Sequence, residues 1–213
     1  KWIFDLKGND IIWSVSDVSK ISGHSYSIYG PLLNGVTTFL NEGVPIYPEP
    51  DRYWQLISKY RINILYINPT TIRALLKLGN EWVFKHDVSS LRLLGIKGET
   101  IKKDTWLWLY ENVGKRKCPI VDTWWQTETG GCLISNLAGV TPAKPSWATL
   151  PMPGVQPVLV DESGKEVTKK DEHGLLSGNL CIKAPWPGII RTTYGDHERC
   201  RQTYFSSYKG YYF

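Results

Sequence analysis

Apolar residues along this chain fall in short clusters separated by polar, Gly- and Pro-bearing stretches. Ile11-Ile12-Trp13-Ser14-Val15 reads as a strand, and so does the β-branched run Val36-Thr37-Thr38-Phe39-Leu40. Asp51 suits a helix N-cap, and behind it Tyr53, Trp54, Leu56, Ile57 and Tyr60 recur at helical spacing. Asn63-Ile64-Leu65-Tyr66-Ile67 has the length and composition of a buried strand. Pro69 opens a helix through Ile72, Leu75, Leu76 and Leu78 that stops near Gly79. Leu91 to Gly95 is again strand-like, and Lys103-Asp104 leads a helix through Trp106, Leu109 and Tyr110 that ends near Gly114. This β-α-β-α order predicts an α/β fold, a largely parallel sheet covered by helices.

The pattern changes after residue 138. Residues 139–157 hold many of the prolines, followed by Val158-Leu159-Val160, a turn at Asp161-Glu162-Ser163-Gly164, and Leu180-Cys181-Ile182. These are hairpin signals. They divide the chain into an α/β part, 1–138, and a smaller β-rich subdomain, 139–213.

Composition narrows the class. With 213 residues, 42% hydrophobic and 21% charged, the chain can bury a core as a globular protein. No apolar run is long enough to span a bilayer, and Lys1-Trp2-Ile3-Phe4-Asp5 has no signal-peptide character. Cys118, Cys132, Cys181 and Cys200 form no C-x-x-C pair, which argues against a zinc or redox motif and for reduced thiols in the cytoplasm. A net charge of +5 with only short basic runs does not make a nucleic-acid face. His24 has no nucleophile motif beside it and is expected to be a structural core histidine. Asp196-His197-Glu198-Arg199 reads as a surface charge cluster, since adjacent residues rarely converge on one substrate.

The densest chemistry lies in Asp122-Thr123-Trp124-Trp125-Gln126-Thr127-Glu128-Thr129-Gly130-Gly131, directly after the apolar run Cys118 to Val121. A core strand is not expected to hold so many polar side chains. A polar, Gly-terminated loop at the carboxyl end of a strand is where open α/β sheets bind ligands. This run resembles the adenylate-forming enzymes, and among them the acetyl-CoA synthetases. The resemblance extends over essentially the whole chain. It includes Gly23-His24-Ser25-Tyr26, Tyr29-Gly30-Pro31-Leu32-Leu33-Asn34-Gly35, Glu42-Gly43-Val44-Pro45, Pro69 to Leu75, Ser89-Ser90-Leu91-Arg92, Pro185-Trp186-Pro187-Gly188 and Tyr194 to Arg199.

The resemblance implies ATP-dependent conversion of acetate to acetyl-AMP, then attack by CoA to give acetyl-CoA, AMP and pyrophosphate. It assigns Gly98, Glu99 and Thr100 to the adenine and adenylate. Asp122, Thr123, Trp124, Trp125, Gln126 and Thr127 are assigned to the nucleotide and its phosphates. Glu128 is the implied Mg2+ ligand, and with Thr127 the implied catalytic pair. Ile21, Ser22, Lys97 and Trp125 would wall the acyl pocket, with Trp125 limiting it to a very short acid. Ser22, the loop at Ile46, and Asn68 would lie near CoA.

Some parts of the family pattern are absent or altered. The Ser/Thr/Gly-rich phosphate loop would precede Lys1, and the ribose-binding Asp would follow Phe213. The C-terminal domain with its adenylation Lys would lie beyond that, in cis. The chain is therefore expected to be a fragment with little activity alone. Lys97 stands where the family has a small apolar residue, usually Val. Thr100 replaces Pro, Asn68 replaces a small residue, usually Ala, and Ser19-Lys20 replaces Gly-Trp. A related ligase for another small acid, or an inactive homologue that only binds nucleotide or partners, is equally compatible with these departures. The long stem of Lys97 is expected to carry its ammonium out to solvent.

Overall fold

The computed structural model describes every residue from Lys1 to Phe213. Two compact units are distinguished: residues 1–127 with 131–150, and residues 128–130 with 151–213. The proline-bearing stretch 139–150 thus lies with the first, where Ser135 N donates to Leu150 O at 2.8 Å.

The first unit is built on a six-stranded sheet. Its strands are β1 (Ile11–Ser14), β2 (Thr37–Thr38), β3 (Ile64–Ile67), β4 (Leu93–Ile96), β5 (Ile120–Trp124) and β6 (Ile134–Ser135). Their spatial order is β2-β1-β3-β4-β5-β6, parallel except for β6 against β5. The expected α/β architecture is present. Two boundaries differ from expectation. The run Val36 to Leu40 pairs only through Thr37 and Thr38. Strand β5 continues through Asp122, Thr123 and Trp124, so the polar segment begins inside the sheet rather than after it.

Register explains which side chains meet. Ser14, Tyr66, Gly95 and Val121 stand side by side across β1, β3, β4 and β5. Their neighbours along each strand, among them Trp13, Leu65, Leu94 and Ile120, point to the opposite face by the twofold alternation of a strand. That opposite face packs on α3 (Arg52–Tyr60), α4 (Pro69–Lys77) and α6 (Lys103–Trp108), which bury Trp54, Ile57, Ile72, Leu75, Trp106 and, just past α6, Leu109. Asp51 occupies the N-cap position of α3, but its carboxylate bonds His86 Nε2 at 2.8 Å instead of a backbone N–H. A short helix, α5 (Glu81–Phe84), completes the connection to β4.

The Tyr66 face is covered by α1 (Ile21–Gly23), a π-helical turn His24–Tyr29 and α2 (Gly30–Leu33). Ser27 Oγ donates to Ser14 O at 3.0 Å, and the rings of Phe4 and Tyr26 meet Tyr66 edge-on at 4.8 and 5.0 Å. His24 is exposed on this helical surface, edge-on to Tyr29, and not in the core as expected. Gly95 makes room for the Tyr66 ring. An added Cβ would sit 2.6 Å from Tyr66 Cδ2 and 2.9 Å from Phe4 Cε1. Gly95→Ala is therefore expected to cost about 1–3 kcal/mol by overpacking. Urea unfolding of the variant checks this, and an unchanged midpoint would show that the rings can move aside.

The second unit pairs β7 (Pro157–Val160) and β8 (Asn179–Ile182) in antiparallel register, with Val158 opposite Cys181. The Asp161–Gly164 turn closes β7 as expected, with Asp161 Oδ1 accepting from Ser163 N and Lys165 N. Helix α7 (His197–Phe205) follows, its first turn capped by Asp196 Oδ1 accepting from Arg199 N at 2.9 Å. The Asp196 to Arg199 cluster is exposed at this helix start.

Candidate functional site

From β1 the chain crosses to β2 on one side, then returns past β1 to enter β3 on the other. Loops from neighbouring strands therefore part at the β1/β3 boundary, the crevice where open α/β sheets take ligands. A cavity of about 780 Å³ opens there, entirely within the first unit. Val15 and Ser16 after β1, Asn68 after β3, Lys97 and Gly98 after β4, and Trp125, Gln126 and Thr127 after β5 all line it. Ile21 and Ser22 at the start of α1 complete the wall, with Asp17, Ser19 and Lys20 leading in. Eight residues assigned from the resemblance thus share one cavity: Ile21, Ser22, Asn68, Lys97, Gly98, Trp125, Gln126 and Thr127.

The remaining assigned residues do not line it. Asp122 and Thr123 are buried in β5, and Trp124 is half-buried at its end. Thr100 is exposed. Ile46 is also exposed, next to a second cavity of about 650 Å³ walled by Leu40 to Pro45 and by the residues after β1. Glu99 is turned to the start of α4. It accepts from Thr70 N at 2.8 Å and from Thr70 Oγ1, and pairs with Arg73 at 3.2 Å. Asn68 caps the same helix, its Oδ1 accepting from Thr71 N at 2.9 Å. Since Pro69 has no N–H, these two side chains satisfy the first free donors of α4.

A directed chain of hydrogen bonds underlies the cavity. Thr123 has one hydroxyl proton, and it goes to Ile96 O at 2.7 Å. Tyr66 OH must therefore donate to Thr123 Oγ1 at 2.6 Å, while it accepts from Trp125 Nε1 at 3.1 Å. The Trp125 indole is thus fixed at one edge, and it also meets Tyr26 edge-on at 5.1 Å. Tyr26 OH in turn accepts from Cys132 N at 2.7 Å. Burial pushes the Tyr66 and Tyr26 phenols well above their ordinary values, and the Cys132 thiol up to about 12, so all three stay neutral. Tyr66, Tyr26, Ser14 and Ser16 were not among the residues expected at the site. Strand alternation from Trp13 and Leu65 would have placed Ser14 and Tyr66 on one face.

Lys97 does not reach solvent. It is 4% exposed, and its Nζ donates to Ser14 Oγ at 3.0 Å and to Ser16 Oγ, lying 4.9 Å above the Tyr66 ring. It follows β4, so its side chain shares the face of Gly95 and Tyr66 and is directed inward rather than along the surface. Burial lowers its pKa to about 7. Asp122 is shifted in the opposite sense, up to about 6, again by burial.

Glu128 belongs to the second unit, directly after Thr127. Its Oε1 accepts from Tyr204 OH at 2.7 Å, and its backbone O accepts from Ile190 N at 2.9 Å, which orient the carboxylate. No group of three His, Cys, Asp or Glu side chains is placed to share a metal. A lone, oriented carboxylate fits Mg2+ in its usual phosphate-bound form, held by one or two carboxylates and by substrate oxygens.

Residues 1–192 match the family described as AMP-binding enzyme. The acetyl-CoA synthetase of Chlorobaculum tepidum is 51% identical over 213 residues, all of this chain and 32% of that protein. Acetyl-CoA synthetase 2 of Pseudomonas aeruginosa is 53% identical over 213 residues, and the enzyme of Leptospira biflexa 53% over 211, each again 32% covered. The chain thus spans about a third of the length of these curated relatives. No helix is long and apolar enough to cross a membrane.

Proposed function

The chain belongs to the AMP-binding enzyme family, and from that premise we propose that the full-length protein is an acetate:CoA ligase. It couples acetate to the α-phosphate of ATP, releases pyrophosphate, and passes the acetyl group to CoA with release of AMP. The observation that carries this reading is the single cavity on which Ile21, Ser22, Asn68, Gly98 and Trp125 to Thr127 converge.

In this reading Trp125, held by Tyr66, closes the acid pocket behind a very short acyl group, with Ile21 and Ser22 as its other walls. Gly98, at φ +87 with nothing near its absent Cβ, lets the backbone come close to the adenylate. Thr127 and Gln126 face the phosphates. Glu128, oriented by Tyr204, would hold Mg2+, which would supply neutralisation of charge on the phosphates. Glu99, Thr100, Asp122, Thr123 and Trp124 support the nucleotide from the strand ends, and Ser22, Asn68 and the loop at Ile46 flank the route of the CoA thiol. The setting is cytoplasmic, in keeping with four free thiols.

Acetate-dependent exchange of pyrophosphate into ATP by the full-length protein tests the proposal, and absence of exchange with every short acid would refute it. Trp125→Gly is expected to move preference toward longer linear acids. Each added buried methylene is worth about 0.8 kcal/mol, roughly fourfold in kcat/KM. If the variant still rejects butanoate, Trp125 is not the pocket wall.

A further inference from the structure

We propose that Lys97 lets this pocket admit, beside acetate, a short dicarboxylic acid of the size of malonate, whose second carboxylate pairs with the Lys97 ammonium. The inference rests on the reading of the cavity as the acid pocket of an adenylate-forming ligase.

The geometry carries it. Lys97 lines the cavity, and so does Ser16, an acceptor of its Nζ. Its protein partners are two hydroxyls and the face of one phenol ring. None of the chain's ion pairs includes it. Asp17, the one acid on the cavity wall, is exposed and accepts from Ser19 N at 2.8 Å. Hydroxyl dipoles solvate a buried ammonium but leave its charge uncompensated, and a buried charge without a counter-ion is costly. A monocarboxylate directs its only anionic group to ATP and puts a methyl group beside Lys97. A dicarboxylate supplies the missing charge there while its other carboxylate reacts. Trp125 restricts the length, so the two carboxylates must be separated by very few carbons.

The lowered pKa of Lys97 agrees with an ammonium that lacks a counter-charge. An anion bound beside it restores the proton, so binding above neutral pH is expected to take up a proton.

The test uses the full-length protein, with pyrophosphate exchange measured on acetate and on malonate for the wild type, Lys97→Val and Lys97→Met. Malonate is expected to be activated by the wild type beside acetate, within about tenfold of it in kcat/KM. Both variants are expected to lose malonate activity and gain on acetate by a similar factor. A wild type without malonate activity, or with malonate activity indifferent to Lys97, overturns the proposal. Should the variants fail to fold, wild-type activity on malonate alone decides. Calorimetry of malonate without ATP separates the two readings. Exchange with no acid refutes the ligase, yet saturable malonate binding with proton uptake that vanishes in Lys97→Val still sustains the anion site. No malonate binding by the wild type refutes the anion site whether or not acetate is activated.

Discussion

Glu128→Gln in the full-length protein is expected to slow acid-dependent pyrophosphate exchange by at least about 100-fold, roughly 2.7 kcal/mol of transition-state stabilisation. The substitution isolates charge from architecture. A glutamine carbonyl can still accept from Tyr204 OH, the bond that Glu128 Oε1 makes at 2.7 Å, and the backbone bond to Ile190 N is untouched. Thermal unfolding should therefore stay near the wild-type value while exchange collapses, and excess Mg2+ should restore part of the rate. Tyr204→Phe is the complementary change. It keeps the anion and removes its orienting donor, so a smaller loss, about tenfold, is expected. Exchange that survives Glu128→Gln at the wild-type rate would remove Glu128 from the metal site.

The second large effect concerns stability. Lys97 has a folded-state pKa of about 7 against an ordinary 10.5. Between those values the unfolded chain binds more protons at this position than the folded one, so stability rises with pH across the window. Below about pH 7 the folded state bears the full cost of the buried ammonium. Each pH unit inside the window is worth up to about 1.4 kcal/mol, so the wild type should gain roughly 2–3 kcal/mol from about pH 7 to about pH 9. Lys97→Met fills the same space without a proton and should abolish that gain, being far more stable than the wild type near pH 6. Asp122 titrates below this window, between 3.8 and about 6, and in the opposite sense: its contribution falls as pH rises. Parallel stability curves for the wild type and Lys97→Met, from urea unfolding at several pH values, would show that Lys97 is not titrating inside the fold.

The alternation of strands and helices was readable because each buried strand is a short apolar run and each helix carries a 3.6-residue stripe. What was not readable depends on register. Tyr66 and Thr123 are bonded across 57 residues of sequence. Only the strand order, with Tyr66 beside Gly95 and Gly95 beside Val121, brings them together. For the same reason β5 could keep Thr123. The Thr123 hydroxyl finds both a donor and an acceptor inside the sheet, so the rule against polar core residues does not apply to it. The long stem of Lys97 suggests a surface side chain, yet the residue is buried. Its position after β4, in phase with Gly95, directs it inward. Motif and topology coincide on one cavity at Trp125 to Thr127, Gly98, Ile21 and Ser22. Motif matching alone could not show that Glu99 and Asn68 already have partners.

Those two partners give the first turn of α4 a reporting role. Thr70 N and Thr71 N are held by the side chains of Glu99 and Asn68, of which Asn68 lines the cavity, not by a helix or sheet. A ligand that draws Glu99 or Asn68 to itself must release these amides to water. Hydrogen–deuterium exchange at Thr70 and Thr71 would then quicken as ligand is added, while Leu75, deeper in the same helix, keeps its protection. The helix end would register occupancy without any label on the ligand.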